Sequence, residues 1–319
     1  MRYLELKQAA HQISKIAIGT TYFGTEIDDK LSLRMLDVFA ELGGTTIDTA
    51  RMYGQEYPGG PSASETIIGK WLRSNGMREN MALVTKGLHP TPQGESRFTH
   101  KALLVDIQRS QDELQTDYFD IWFLHRDDPS IPIQEIMEMI DPLVQSKTVG
   151  ALGASNWSIE RIAEANTYAL DHGLSPFSIS EIQWSLAEST PQRMGDETMV
   201  CMDDRSLQWY RDAQMPVLAF SSQGKGFFSK LIEHGIDGLS EKSRNRFLSQ
   251  KNIARAERVK IISSEEQVSP AAVTVAYIVN ESPSSVAIVG CSSVEQLKDS
   301  LSGADLVLDR NRLDFLLGR

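Results

Sequence analysis

Four side chains in this sequence have the types and the spacing needed for proton transfer. Asp48, Lys86 and His125 each end a short apolar run, and they lie 38 and 39 positions apart. If the runs are successive parallel strands, this near-constant spacing places the three side chains at the same height around one end of the sheet. Tyr53 follows Asp48 by five residues, so a short loop can bring its phenol back over that end.

The chemistry that this set favours is protonation of a carbonyl oxygen as a hydride arrives, or the reverse. A free tyrosine has a pKa near ~10 and is a poor proton donor unless something stabilises its phenolate. A lysine ammonium beside Tyr53 would lower the pKa of the phenol, while Asp48 would keep Lys86 charged and oriented. His125 is then free to hydrogen-bond a substrate oxygen.

The residues that nucleophilic or metal-dependent catalysis would need are not found at the required spacing in the sequence. No Ser or Cys nucleophile is placed beside a base, and no H-E-x-x-H or paired-histidine spacing predicts a metal site. A lyase or isomerase that uses Lys86 as a Schiff-base nucleophile is a further hypothesis, which the neighbouring carboxylate and phenol disfavour.

The elements that must position these residues alternate along the chain. Amphipathic stretches predict helices, as where Leu31, Met35, Val38, Phe39 and Leu42 form one apolar stripe. Short apolar runs predict eight strands, at residues 15–19, 45–49, 81–86, 118–125, 149–155, 177–184, 216–222 and 286–291.

Two helix starts carry capping signals. Ser62 and Glu65 have the spacing of a capping box, and Ser269 followed by Pro270 supplies an N-cap with proline at the first helical position.

Strand-then-helix units in one uninterrupted series predict an α/β fold, a (β/α)8 TIM barrel made by a single domain over residues 1–319. An open doubly wound sheet is the competing architecture, but no G-x-G-x-x-G or G-x-x-x-x-G-K-[ST] follows any strand. Long loops are expected at the C-terminal face after strands six and seven, over Ala187–Asp204 and Gln223–Asn252.

The composition restricts the partners and the location. With 32 basic and 43 acidic residues the net charge is −11, which argues against a nucleic-acid or anionic-membrane partner. The longest apolar stretch, Ala271–Val279, is too short for a membrane helix, which needs about 20 residues. Cys201 and Cys291 form no CxxC motif and are expected to be reduced thiols, so a cytoplasmic protein is predicted.

The sequence resembles the aldo-keto reductase superfamily over nearly its whole length. The motifs that carry the resemblance stand in the family's order at strand ends: Asp48–Gly54 with Ser64, Glu65 and Gly69, then Val84–Lys86, Leu124–His125, Gly153–Trp157, Gln183, Phe220–Gly224 and Gly290–Ser300.

The resemblance implies an NADP(H)-dependent oxidoreductase that interconverts carbonyls and alcohols by direct hydride transfer without a Rossmann domain. Tyr53 would be the general acid/base, Asp48 and Lys86 would tune it, and His125 would orient the substrate. NADP(H) is favoured over NAD(H), and the resemblance implies cofactor contacts from Gly19, Thr20, Thr21, Ser155, Asn156, Gln183, Phe220, Ser221, Ser222, Gly224, Lys225, Gly290, Ser292, Gln296 and Ser300.

The expected substrate is a small carbonyl or alcohol compound, and the expected assembly is a monomer or small homo-oligomer. The candidate pocket walls are mostly aromatic and favour an apolar or ring-bearing carbonyl: Tyr22, Phe23, Tyr57, His89 and Trp157.

The sequence departs from the family's pattern in several places. The segment Gln55–Ala63 is longer than usual and is expected at the substrate rim. Gln296 stands where many relatives place an arginine for the 2′-phosphate, and Ser293 with Gln296 fits a capping box equally well. Lys225 or Lys298 is a possible substitute cation. A cofactor-binding accessory barrel with little turnover is the alternative function.

Overall fold

The computed structural model describes residues 1–57 and 59–319, and its strands form a closed barrel. Two short strands, β1 (Tyr3–Leu4) and β2 (Ile13–Ser14), pair in a separate two-stranded sheet that the sequence pattern does not predict. Eight further strands close in the order β10-β3-β4-β5-β6-β7-β8-β9. They are β3 (Ile16–Gly19), β4 (Thr46–Asp48), β5 (Ala82–Gly87), β6 (Phe119–Leu124), β7 (Val149–Ser155), β8 (Phe177–Gln183), β9 (Val217–Phe220) and β10 (Val286–Val289).

Helices separate the barrel strands along the chain. They are α1 (Asp29–Glu41), α2 (Ala63–Asn75), α3 (His100–Leu114), α4 (Ile133–Gln145), α5 (Ile159–Asp171), α6 (Pro191–Met194), α7 (Asp204–Ala213), α8 (Phe227–His234), α9 (Glu241–Phe247), α10 (Gln250–Glu266), α11 (Pro270–Asn280), α12 (Val294–Ser302) and α13 (Arg310–Leu317). The predicted (β/α)8 TIM barrel is therefore confirmed, with all eight predicted strands at their expected positions.

The residues group into two compact units. The first comprises residues 5–13 and 18–181 and contains β4 to β7 with α1 to α5. The second comprises residues 1–4, 14–17 and 182–319 and contains β9, β10 and α6 to α13. Organisation as a single domain over residues 1–319 stays a prediction.

Strands β5 and β6 of the first unit are buried at every position. Parallel strands covered on both faces need apolar residues at consecutive positions, which β6 supplies with Ile121-Trp122-Phe123-Leu124. The register pairs Lys86 of β5 with Phe123 of β6, and Ser155 of β7 with Glu181 of β8. These pairings fix which polar side chains stand next to each other at the strand ends.

The apolar stripe of α1 is confirmed over most of its length. Met35, Val38 and Phe39 are buried, and the Asp28 carboxylate caps the helix by accepting from the backbone N–H of Leu31. Leu42 does not follow the predicted stripe: it is the C-cap residue and is 46% exposed. The apolar face therefore ends one turn before the pattern predicts.

The capping box predicted at α2 is correct in one half only. The Ser62 hydroxyl accepts from the backbone N–H of Glu65, but the Ser62 N–H donates to Glu113 Oε2 at 2.7 Å. The Glu65 carboxylate turns into the core instead, where it accepts from the hydroxyls of Thr85 at 2.6 Å and Ser110 at 2.8 Å. Tertiary partners therefore outcompete the local reciprocal bond.

Gly69 of α2 allows close helix packing. A Cβ at this position would lie 2.0 Å from the carbonyl oxygen of Glu113 on α3, so only glycine fits this crossing. Close approach of α2 and α3 in turn brings Glu113 to Ser62.

Of the two segments predicted as long loops, the one after β8 is mostly non-helical and the one after β9 is largely helical. The first contains α6, and the second contains α8, α9 and the start of α10. The Arg193 guanidinium donates to the carbonyl oxygens of Asn245 and Leu248, which satisfies the C-terminal end of α9. Both long segments are therefore present as predicted, and helices occupy most of the second one.

The start of α11 carries the predicted capping residues. Ser269 caps α11 by accepting from the backbone N–H of Ala272, with Pro270 at the first helical position, as predicted. In the described part of the chain, no helix combines the length and the hydrophobicity that crossing a membrane requires.

Glu65 should make the stability of the protein decrease as the pH rises. Burial raises the pKa of Glu65 to about 7 from 4.5, so the folded state binds this proton more tightly than the unfolded state. Between pH 5 and pH 8 this group should remove about 2 to 3 kcal/mol of unfolding free energy. Urea unfolding at both pH values should show a smaller decrease for Glu65→Gln, which keeps an acceptor for Thr85 and Ser110.

The control for this experiment is Glu257→Gln, at an exposed position of α10. Equal pH-dependent losses in the wild type, the control and Glu65→Gln would contradict the assignment.

Candidate active site

Lys86 stands at the centre of the site as a fully buried ammonium. It lies near the end of β5, and its Nζ donates to Asp48 Oδ1 at 2.5 Å and to the Thr49 carbonyl oxygen at 2.9 Å. A second carboxylate oxygen, Glu181 Oε1, lies 3.3 Å from the same nitrogen. The ladder between β4 and β5 continues beyond Asp48, where the Arg51 N–H donates to the Lys86 carbonyl, and so holds Asp48 beside Lys86.

These contacts keep Lys86 charged. Burial alone would lower its pKa, but the charges of Asp48 and Glu181 outweigh burial and raise the pKa above its ordinary value. Burial also raises the pKa of Asp48, against the opposing effect of Lys86. The ammonium is therefore a permanent positive charge at neutral pH.

The loop after β4 carries Tyr53 over this charge. The Tyr53 N–H donates to the Ala50 carbonyl, and the Ser62 hydroxyl donates to the Tyr53 carbonyl at 2.7 Å. Gly54 follows with φ of 70°, and a Cβ there would lie 2.9 Å from the Ala63 Cβ, so the turn requires glycine. The Lys86 Nζ lies 5.3 Å from the centre of the Tyr53 ring.

The pKa of Tyr53 is raised overall, opposite to the effect predicted for Lys86 alone. Burial raises the pKa of Tyr53 to about 12, and Asp48 and Glu181 add to the increase. Lys86 lowers it, as expected, but by less than burial raises it. Tyr53 is consequently a protonated phenol at neutral pH in the absence of ligands, so it holds a proton to donate, and Lys86 is the group that makes this proton easier to release.

His125 completes the set of four as a neutral imidazole. Its ring lies 5.9 Å from that of Tyr53 and 4.8 Å from that of His89, both edge to face. Burial lowers the pKa of His125 well below its ordinary value, and the positive charges of Arg126 and Lys86 act in the same direction. The structure thus brings together the four residues predicted as catalytic.

Glu181 is the member of this cluster that sequence reasoning missed. It is 2% exposed and lies on β8, two residues before Gln183. A signal was present, because residues two apart on a strand share a face, so Glu181 belongs with Gln183. A glutamate inside a buried strand needs a partner, and Lys86 is that partner.

Several cofactor candidates of the first unit lie at strand ends. The backbone of Asn156 adopts the left-handed region with φ of 58°, and its side-chain amide donates to the Ser155 hydroxyl at 3.0 Å. A non-glycine residue in this region stores strain and is enriched at functional positions. Thr20 is buried and donates to the Asp48 carbonyl, whereas Thr21 is exposed and Gly19 half-buried.

The second unit presents its candidates mostly after β9. Ser221 and Lys225 adopt φ of 52° and 54°, and Gly224 lies between them with φ of 55°. The Gly224 N–H donates to the Ser221 carbonyl at 2.8 Å, and the Gly226 N–H donates to the Gln223 carbonyl at 3.0 Å, so internal hydrogen bonds close this turn. Phe220 is half-buried, Lys225 is exposed, and the Ser222 hydroxyl donates to the Ile288 carbonyl at 2.7 Å.

In the segment after β10, Gly290 is exposed, whereas the side chains of Gln296 and Ser300 form hydrogen bonds within the segment. Gly290 is exposed, and no atom of the described residues lies within 4 Å of a Cβ built there, which leaves room for a ligand. Gln296 forms the capping interaction: its N–H donates to the Ser293 hydroxyl, and its Oε1 accepts from the Ser292 N–H at 3.0 Å. The Ser300 hydroxyl donates to the Gln296 carbonyl.

Gln183 is buried, and its side-chain amide donates to the Ser185 hydroxyl at 3.2 Å. Its predicted cofactor contact stays a prediction.

Some of the residues predicted to line the substrate pocket are exposed, and others are buried. Tyr22 is 42% and Tyr57 59% exposed, and His89 is half-buried against His125. Phe23 and Trp157 are fully buried, and the Trp157 N–H donates to the Arg126 carbonyl at 3.2 Å, so both rings pack as core here. Of the segment Gln55–Ala63, Pro58 lies outside the described residues.

A sequence model of the aldo/keto reductase family matches residues 15–315. The chain belongs to this family. As an aldo/keto reductase it is an oxidoreductase that acts on carbonyl compounds and alcohols, and the family generally uses a nicotinamide cofactor.

Relatives of this aldo/keto reductase are oxidoreductases from fungi and bacteria. A norsolorinic acid reductase of Emericella nidulans is 26% identical, over 94% of this chain and 76% of the relative. An uncharacterized oxidoreductase of Bacillus subtilis is 26% identical, over 99% of this chain and 95% of the relative. An aryl-alcohol dehydrogenase of Pestalotiopsis microspora is 27% identical, over 92% and 74%.

Removing the buried ammonium should destabilise this aldo/keto reductase in a pH-dependent way. Lys86→Met leaves Asp48 and Glu181 as two buried carboxyls without a counter-charge, at an expected cost of about 3 to 5 kcal/mol at pH 8. At pH 5 the loss should be smaller, because the carboxyls become neutral by binding protons. Urea unfolding at both pH values measures the difference.

Lys70→Met, at an exposed position of α2, is the matched control and should be nearly neutral. A loss of the same size at pH 5 and pH 8 in Lys86→Met would show that packing, not charge, holds Lys86.

Proposed function

We propose that this aldo/keto reductase reduces aldehyde and ketone carbonyls to alcohols, and catalyses the reverse, by direct hydride transfer with NADP(H). The observation that carries the proposal is the position of the charged Lys86 Nζ, 5.3 Å from the ring centre of a protonated Tyr53, beside a neutral His125. This arrangement suits delivery of one proton to an oxygen that gains negative charge.

The chain's own residues handle the proton. When bound, the nicotinamide cofactor supplies the hydride. As the carbonyl carbon accepts it, the oxygen takes the proton of the Tyr53 hydroxyl, and Lys86 stabilises the phenolate that remains. His125, being neutral, orients the carbonyl oxygen by a hydrogen bond. Solvent then returns a proton to Tyr53.

Each unit, taken by itself, offers groups that suit one part of a dinucleotide. In the first unit Ser155 and Asn156 offer a hydroxyl and an amide for the nicotinamide carboxamide, with Gln183 of the second unit assigned the same task by resemblance. In the second unit, the left-handed turn around Gly224 is assigned to the pyrophosphate by resemblance, and Gly290 leaves open space.

NADP(H) is proposed over NAD(H), with Lys225 or Lys298 as the cation for the 2′-phosphate. Both lysines are exposed, whereas the Gln296 side-chain oxygen is engaged by Ser292. We expect a modest preference, since an amide cannot supply the charge-assisted bidentate contact of an arginine.

The proposed substrate is a ring-bearing or apolar carbonyl compound. Exposed Tyr22 and Tyr57 and half-buried His89 support this class, as does the similarity to an aryl-alcohol dehydrogenase. We further propose a cytoplasmic enzyme, monomeric or a small homo-oligomer, which agrees with its free Cys201 and Cys291.

Tyr53→Phe should lower kcat by about 10²- to 10⁴-fold, the range of general acid catalysis, because it removes the proton donor and keeps the ring. Cofactor affinity, measured by quenching of protein fluorescence, should stay within a few-fold of wild type. Equal loss of turnover and of cofactor binding would instead give Tyr53 a structural role.

The proposed function is tested by titrating the protein with NADPH and NADH and by following NADPH oxidation with benzaldehyde and with short polar aldehydes. We expect tighter binding of NADPH and faster turnover of the aromatic aldehyde. Binding without turnover on any carbonyl would favour an accessory barrel. Failure to bind either nucleotide would contradict the proposal.

A further inference from the structure

Glu181 lies in the catalytic cluster, although the proton transfer from Tyr53 does not require a second carboxyl. We propose that Glu181 is a positioning residue that holds a proton at neutral pH, and that its ionisation weakens proton donation by Tyr53 and so limits carbonyl reduction at alkaline pH. This inference rests on the proposed function.

The geometry gives Glu181 a weaker hold on Lys86 than Asp48 has. The Lys86 Nζ is 2.5 Å from Asp48 Oδ1 but 3.3 Å from Glu181 Oε1. The other oxygen, Glu181 Oε2, is buried and receives no hydrogen bond from any described residue. An unsolvated carboxylate oxygen without a donor is costly, and protonation removes that cost.

The charges around Glu181 point the same way. Asp48 at the end of β4 and Lys86 on β5 face it directly, and Arg126 after β6 acts on it from a third element. One ammonium paired with two carboxylates leaves an excess negative charge in a buried site, which the smaller effect of Arg126 offsets only in part. A single proton held by the carboxyl pair restores neutrality with Lys86, and Asp48, with the shorter ion pair, stays ionised.

The resulting titration falls within the working range of an enzyme. Burial first, and then the charge of Asp48, raise the pKa of Glu181 to about 8, with Lys86 and Arg126 opposing the rise. Tyr53 responds to this charge, because ionised Glu181 raises the pKa of the phenol. A weaker acid gives up its proton less readily as the hydride arrives, so reduction should slow above this pH.

The backbone of Glu181 is held in the sheet by pairing with β7. Its carbonyl oxygen accepts from the Asn156 N–H at 2.9 Å, and Glu181 is the register partner of Ser155. Glu181→Gln therefore keeps the strand, the size and an oxygen for Lys86, and it removes only the titration. Glu281→Gln is the matched control: Glu281 is another buried glutamate, paired with Arg211 within the second unit.

The first test is the pH dependence of kcat/KM for benzaldehyde reduction between pH 6 and pH 10. For wild type and Glu281→Gln we expect a decrease of more than threefold and up to about tenfold between pH 7 and pH 9, tenfold being the limit for a group titrating near 8 whose ionised form is inactive. Glu181→Gln should lose less than about twofold over the same interval. A profile of wild-type shape in Glu181→Gln, at any activity level, overturns the proposal.

The second test needs neither cofactor nor activity. Carbon-13 NMR of protein labelled at the glutamate carboxyls should show one resonance that titrates near pH 8 and disappears from the glutamate region in Glu181→Asp. Glu65, with its pKa of about 7, is identified separately with Glu65→Gln. If Glu181 titrates below pH 6, the inference fails even for an active reductase. If the NMR titration is as expected but the protein reduces no carbonyl, the proposed function fails instead.

Discussion

A lysine ammonium without contact to solvent is the constraint on which this site depends. Removing such an ion from water costs several kcal/mol, so the fold must surround it with acceptors. Lys86 finds them in the Asp48 carboxylate, the Thr49 carbonyl and the more distant Glu181 carboxylate. The ends of β4, β5 and β8 are thereby held together through one nitrogen atom, and its charge is the one that stabilises the Tyr53 phenolate in the proposed mechanism.

A second polar network behind β5 holds the loop that carries Tyr53. The Arg51 guanidinium pairs with Glu113 at 3.1 Å and also donates to the Gly60 carbonyl, so both ends of the loop are bound to one side chain. Glu113 accepts from the Ser62 N–H, and Glu65 accepts from Thr85, the neighbour of Lys86. The loop is therefore fixed through Arg51 and through Glu113 of α3, while Tyr57 remains exposed.

The sequence was sufficient for what depends on local pattern. Continuous apolar runs predict the eight barrel strands, and the polar residues at the ends of β4, β5 and β6 are the candidate catalytic residues Asp48, Lys86 and His125.

The features that the sequence could not predict depend on three-dimensional surroundings. The pKa of Tyr53 follows from how deeply its hydroxyl is buried, and Glu65 leaves its capping position because Thr85 and Ser110 reach it in the folded chain. Glu181 was overlooked because its partner, Lys86, is 95 positions away in the sequence. The short strands β1 and β2, each of two residues, carry no periodic signal.

The central claim is that a hydride passes directly to a carbonyl carbon while Tyr53 protonates the oxygen. Benzaldehyde reduced in ordinary water with NADPH that carries deuterium on both C4 positions of the nicotinamide tests this most directly. The account predicts benzyl alcohol with one deuterium on the carbinol carbon, seen by mass spectrometry, and the same product at a greatly reduced rate with Tyr53→Phe. Alcohol without deuterium at that carbon would contradict direct transfer, and an undiminished rate with Tyr53→Phe would contradict the role given to its phenol.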